Sequence, residues 1–243
     1  MFITSSENKK IKDLKKLNDR KYRDAEGLFL VEGEHLVIEA FKSGLLVELI
    51  LEENARIGIN MEAIFATSNV MKELSSLTTP ATVIGVCQKR GKTNNLGNRI
   101  ILLDSIQDPG NLGTIIRSAV AFNVDTIVIG NGTVDVYNPK VLRATQGLIF
   151  HINIIEENLL DVIPRLKEND YKIIGTDITN GMELKSFTSP DKFALIMGNE
   201  GHGTNIKIKN LCDDFVYIDM NVACESLNVS IACSIILYQL DKR

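Results

Sequence analysis

Three short stretches of the chain carry polar side chains of the kind that do chemistry. In "DPGNLGTIIRSAVAFN", Asp108 to Asn123, Asn111 and Arg117 stand in a run of mostly small and apolar residues. "MGNEGHGT", Met197 to Thr204, sets the carboxylate of Glu200 among three glycines, and glycine lets backbone approach a ligand closely. "YIDMNVACESLNVSIAC", Tyr217 to Cys233, brings Ser226 and Asn228 to the expected start of a helix, where free N–H groups and the helix dipole favour an anion.

Each stretch also has a plainer reading. Leu112, Ile115, Ile116, Ala119 and Val120 fall at i, i+3, i+4, i+7 and i+8, an apolar stripe facing a core. Arg117 lies off that stripe, on the face of Gly113, Thr114 and Ala121: either something packs there, or it is a surface arginine among tolerated small residues. Pro109 with a fixed φ and Gly110 with a positive one suit a tight turn, after which Asn111 suits an N-cap. Ser226 suits the cap of the last helix. The glycine loop is neither the dinucleotide fingerprint, which should open the first βα unit, nor a phosphate loop ending in G-K-[ST]. His202 has no second ligand at a suitable spacing, so no metal is expected.

Strands must hold these loops. "IILLD", "TIVIG", "HINII", "YKIIGTD", "FALIMG" and "FVYIDM" read as strands, interspersed with helices over 112–122, 139–146, 158–168, 205–211 and 226–240. That alternation implies an α/β domain, a parallel sheet covered by helices on both faces. Its ligands bind outside the carboxyl ends of the strands. Residues 1–88 read as a smaller α/β unit that opens with a basic helix near 7–18 and contains a helix closed by Gly44. The polar "QKRGKTNNLGNR" reads as a linker, with a boundary near residue 95 dividing domains over 1–92 and 98–243.

At 243 residues the chain can bury a sizeable core. Net charge is −4, yet residues 1–23 hold eight cations (Lys9, Lys10, Lys12, Lys15, Lys16, Arg20, Lys21, Arg23) against three acids, whereas residues 100–243 hold 12 against 18. A basic arm on an acidic body is expected where one segment meets a polyanion, and it is equally a solvated helix face. Cys87, Cys212, Cys224 and Cys233 form no C-x-x-C pair, which suits free thiols in a reducing cytoplasm rather than a zinc site or disulfide framework. The N-terminus shows no apolar secretory segment. "SLNVSIACSIILYQL" is too short and too interrupted by polar residues to span a bilayer, so no membrane partner is expected.

In order and spacing, "DPGNLGTIIRSA", "IMGNEGHGT" and "YIDMNVACESLNVSIA" resemble the three motifs of the SpoU (TrmH-like) RNA ribose 2′-O-methyltransferases. "ITSSENKKIKDLKKLNDRKYRDAEGLFLVEGEHLVIEA" is similar to the small substrate-binding domain that precedes the catalytic domain in many members. The resemblance implies an L30e-like N-terminal RNA-binding domain and a SPOUT-class catalytic domain with a parallel sheet and a trefoil knot. It implies S-adenosylmethionine as methyl donor, RNA as substrate (ribosomal ahead of transfer RNA), and a homodimer with sites at the subunit interface.

Carried over residue by residue, the resemblance assigns catalytic roles to Asn111, Arg117, Glu200, Ser226 and Asn228, and cofactor contacts to Thr176, Gly198, Gly201, Ile218, Met220 and Leu227. Two departures are visible. The family's third motif usually reads Ile-Pro-Met-x-Gly, where Asp219 and Val222 replace the proline and glycine; its second continues Gly-Leu-Ser, where Thr204 and Asn205 follow Gly203. Arg117 has two roles open to it, as base or as anchor for the phosphate beside the target ribose. Arginine stays protonated in proteins, which favours anchoring. A competing expectation is an RNA-binding ribosome-assembly protein on the same scaffold without efficient methyl transfer, for which Asp219 and Val222 are the sequence hints. A nucleotide-dependent oxidoreductase is disfavoured by the missing fingerprint.

Overall fold

The computed structural model describes residues 1–91, 93 and 95–241. Lys92 and Asn94, inside the expected linker, lie outside the described residues. Contacts divide the chain into two units, Met1–Gly91 with Asp135–His151, and Lys92–Val134 with Ile152–Arg243.

The first unit opens with β1 (Phe2–Ile3), α1 (Lys9–Lys16), α2 (Arg20–Glu26), β2 (Leu28–Glu32) and α3 (Glu34–Lys42). It continues with β3 (Leu46–Glu52), β4 (Ala63–Ala66), α4 (Ser68–Leu74) and β5 (Val83–Gln88). The strands form one sheet in the order β1-β4-β3-β5-β2, over a core that includes Ile11, Leu14, Leu30, Ile50, Met71, Leu74 and Ile84. The expected basic helix near 7–18 is α1, and α2 follows it unexpected: Asp19 is its N-cap, with a side chain that accepts from Lys21 N.

Most of the basic arm is engaged within the unit. Lys10 pairs with Glu48, Lys12 with Glu7, Lys15 with Glu73, Lys16 with Asp13, Arg20 with Asp24 and Arg23 with Asp135. Arg23 is buried, donating to Leu17 O at 2.7 Å and to Asp135 Oδ2. Lys9 and Lys21 form no ion pair among the described residues.

The second unit begins with β6 (Arg99–Leu103), α5 (Pro109–Ala121) and β7 (Thr126–Ile129). The chain then returns to the first unit for α6 (Pro139–Ala144) and a 3-10 turn at Leu148–His151. There α6 packs on β2, and the Phe29 ring meets Tyr137 at 4.6 Å and Phe150 at 6.4 Å. The second unit resumes with β8 (Asn153–Glu156), α7 (Leu159–Glu168), β9 (Lys172–Thr176) and β10 (Met182–Glu183). It ends with β11 (Phe193–Met197), α8 (Ile206–Lys209), β12 (Asp214–Tyr217) and α9 (Val229–Leu240).

Seven strands form its sheet, in the order β10-β12-β9-β11-β6-β7-β8, every pair parallel. β11 and the 100–103 stretch of β6 are apolar throughout and buried, as a strand covered on both faces requires. α5 begins a turn earlier than the apolar spacing predicts. Asp108 is its N-cap, accepting from Asn111 N at 2.8 Å, and Pro109 takes the first helical position. Gly110 is therefore helical rather than at positive φ, and Asn111 is not the cap. Leu112, Ile115, Ile116 and Ala119 are buried as the stripe predicts; Gly113 is buried with them rather than beside Arg117 on the exposed face.

Candidate functional site

Because the strands are parallel, the loops after β6, β9, β11 and β12 leave the same edge of the sheet. The loop after β11 is a closed turn. Asn199 and Gly203 exchange backbone hydrogen bonds, with Gly203 at φ +68°, and Asn199 Oδ1 accepts from Gly201 N and His202 N. Gly198 enters it with no room for a side chain, since a Cβ would stand 2.3 Å from Thr204 N. The end of β6 grips the turn at two points: Asp104 Oδ2 accepts from Asn205 N at 2.7 Å, and Asn199 Nδ2 donates to Ser105 O at 2.8 Å.

Within this frame three of the expected residues meet. Glu200 Oε1 accepts from Asp108 N at 3.2 Å and Asn111 Nδ2 at 3.0 Å, and Oε2 from Gln107 N at 3.3 Å. Asn111 Oδ1 accepts in turn from Asn228 Nδ2 at 2.9 Å. Asn228 Oδ1 caps α9, accepting from Ser230 N at 2.9 Å and Ser230 Oγ at 2.7 Å. Ser226, the expected cap, is exposed two residues before it. The capping functions are thus displaced in both helices, to Asp108 and Asn228, and Asn111 keeps both ends of its amide for the other two loops.

Burial opposes ionisation of Glu200, but hydrogen bonds from Asn111 and from the backbone N–H groups of Glu200, Asp108 and Gln107 outweigh it and lower the carboxyl pKa. Glu200 is consequently an ionised clamp and a weak base. Arg117 is exposed on α5 and forms no ion pair among the described residues.

Beside the relay lies a cleft of about 730 Å³. Thr176, Gly198, Gly201, Ile218, Met220 and Leu227 all line it, with Glu200, Ser226 and Asn228; Asn111 and Arg117 do not. Asp219 and Val222, the departures in the third motif, are exposed and also lie off the cleft lining. Sequence reasoning missed Asp104, Asn199 and the pair Asp177–Lys209. Asp104 had a signal, a charged residue closing the buried strand "IILLD"; Lys209 had none. Among the described residues no group of three or more His, Cys, Asp or Glu is arranged to hold a metal, and no helix is long and apolar enough to cross a membrane.

The SpoU rRNA Methylase family profile matches residues 98–238, and that of the MRM3-like substrate binding domain matches residues 8–85. The chain is 37% identical over 243 residues to the 23S rRNA (guanosine(2553)-2′-O)-methyltransferase RlmP of Bacillus subtilis, covering 98% of each. Among solved structures, an AdoMet-bound rRNA methyltransferase from Sinorhizobium meliloti superposes with a TM-score of 0.87 at 27% identity, over 99% of this chain and 97% of that one. A putative RNA methyltransferase of the TrmH family from Porphyromonas gingivalis gives 0.88 at 28% identity, over 97% and 98%.

Proposed function

The chain belongs to the SpoU rRNA methylase family, and from that premise we propose that it transfers a methyl group from S-adenosylmethionine to a ribose 2′-hydroxyl of 23S rRNA. The observation that carries this reading is the Glu200–Asn111–Asn228 relay at the rim of a cleft lined by all six expected cofactor residues.

The cleft fits the cofactor. Its volume, about 730 Å³, lies in the range of small-molecule sites. Gly198 and Gly201 bring bare backbone to its wall, Ile218 and Leu227 offer apolar surface to a flat base, and the carboxylate of Glu200 suits a cationic ligand. When bound, the cofactor supplies a sulfonium-activated methyl group. The protein's task is then mostly to place the hydroxyl. Asn111 and Asn228, each held at both ends of its amide, fix the loops around the reacting ribose. Glu200, tied by N–H donors, is better suited to clamp than to take a proton, and Arg117 is suited to hold a phosphate.

Arg117 lies off the cleft of its own chain, which a homodimer with sites at the subunit interface accounts for. α9 supports the same reading. Cys233, Ile236, Leu237 and Leu240 are buried, while Ile231, Ile235 and Tyr238 are 50%, 39% and 70% exposed, spaced i, i+4, i+7 on the opposite face. A helix apolar all round calls for a second cover, and light scattering should give twice the chain mass.

The test of function is transfer of labelled methyl from S-adenosylmethionine into separated RNA fractions, followed by mapping of the blocked 2′ position. Label at one ribose of 23S rRNA is expected. RNA binding without cofactor binding by calorimetry would favour a ribosome-assembly protein on this scaffold instead.

A further inference from the structure

The cleft lining includes an ion pair that none of the roles above employs. Asp177 follows β9, and Oδ1 accepts from Thr179 N at 2.8 Å and Asn180 N at 3.3 Å, with Asn180 Nδ2 on Oδ2 at 3.3 Å. Lys209 Nζ, from α8, stands 2.6 Å from Oδ2, and the two side chains are 34% and 8% exposed. The Lys209 hydrogen bond, with those from Thr179 and Asn180, holds the Asp177 carboxyl well below the usual carboxylate range. The ammonium lies 5.7 Å from the Phe215 ring centroid, a second restraint on its position.

The pair is asymmetric in what it has left to give. Asp177 already accepts from four donors, whereas Lys209 Nζ has three N–H groups and commits one to Asp177. Among the described residues lining the cleft, Lys209 is the sole Lys or Arg, against the carboxylates of Asp177 and Glu200. S-adenosylmethionine carries one anionic group, the carboxylate of its amino-acid portion, and two cationic ones. A wall with a single anchored ammonium among carboxylates is complementary to that charge pattern.

We propose that Lys209 recognises the α-carboxylate of the cofactor's amino-acid portion, and that Asp177 is a positioning residue holding the ammonium in the cleft wall. This rests on the methyltransferase reading and assigns which part of the cofactor meets which part of the cleft lining. The pair sorts ligands by whether they carry an amino-acid tail, while the glycine-lined and apolar wall meets the adenosine.

Calorimetry on the full chain tests this with two probes, S-adenosylhomocysteine and 5′-methylthioadenosine, which share the adenosine and differ in the amino acid. Wild type is expected to prefer the first by about tenfold or more. Lys209→Met removes most of that preference while leaving methylthioadenosine affinity within about twofold, Lys209→Arg retains it, and Asp177→Asn weakens it in the same direction. Equal losses for both probes in Lys209→Met, or an unchanged preference, overturn the assignment, as does a change confined to the salt dependence of RNA binding, which would make Lys209 a phosphate contact. A wild-type chain that binds neither probe overturns the methyltransferase reading itself, whereas a wild type that binds both without preference overturns this inference alone.

Discussion

Arg117 carries the sharpest residue-scale consequence. It is exposed, outside the cleft lining and without an ion pair among the described residues, so its removal should leave the fold and the cofactor site intact. Arg117→Ala is expected to lower turnover about a hundredfold while calorimetric affinity for S-adenosylmethionine stays unchanged; wild-type turnover would remove it from the site. Glu200 behaves differently. Its folded pKa is lowered, so the clamp is present above the unfolded carboxyl value and is lost as pH falls through the folded one. Glu200 should therefore contribute no acid limb to an activity profile recorded between pH 6 and 8. Asn111→Asp sets a carboxylate where a donor now stands, 3.0 Å from Glu200 Oε1; activity should fall at neutral pH and partly recover toward pH 5 as one of the two carboxyls protonates. The residue types were legible in the sequence. Their partners were not, because whether Asn111 caps a helix or bridges two loops depends on where that helix starts, and Pro109 moves the start by a turn.

At the scale of elements, α9 and α2 separate stability from chemistry. Asn228→Ala removes the cap and should cost about 1 kcal/mol, read as a fall in Tm of about 2–4 °C. Asn228→Asp keeps the capping oxygen but loses the Nδ2 donor to Asn111, so Tm holds while methyl transfer falls. Ser226→Ala should leave Tm unmoved. In the first unit, Arg23→Ala strands the buried Asp135 carboxylate and is expected to cost about 3–5 kcal/mol, whereas Lys9→Ala with Lys21→Ala should leave stability alone and flatten the salt dependence of RNA binding. Charge counting made all eight cations equal. Six are matched by acids scattered from Glu7 to Asp135, and pairing of that range cannot be read from a local window. The strands and helices of the second unit, by contrast, were legible to within a few residues because continuous apolar runs and the 3.6-residue period are local signals. The two-residue strands β1 and β10 left no such signal.

For the whole molecule, the two-part division visible in the sequence omits one segment. Residues 135–151 read as part of the second unit's alternation, yet they pack in the first. Nothing in the periodicity of α6 says which sheet it covers; its apolar face suits either. A protease site placed in the linker tests this directly: after cleavage the two fragments should co-elute under native conditions, held by the Phe29, Tyr137 and Phe150 rings and the Arg23–Asp135 pair, and separate only in denaturant. Fragments that part without denaturant would show that 135–151 is dispensable to the first unit. The same segment also sets a clock on synthesis. A chain emerging amino end first exposes β6, α5 and β7 before residue 151 arrives to complete the first unit's packing. Instead of the usual order, in which the leading domain closes before the next begins, the two units should mature interleaved, and a pause anywhere between residues 91 and 151 leaves the first unit waiting on a segment encoded after the second has begun.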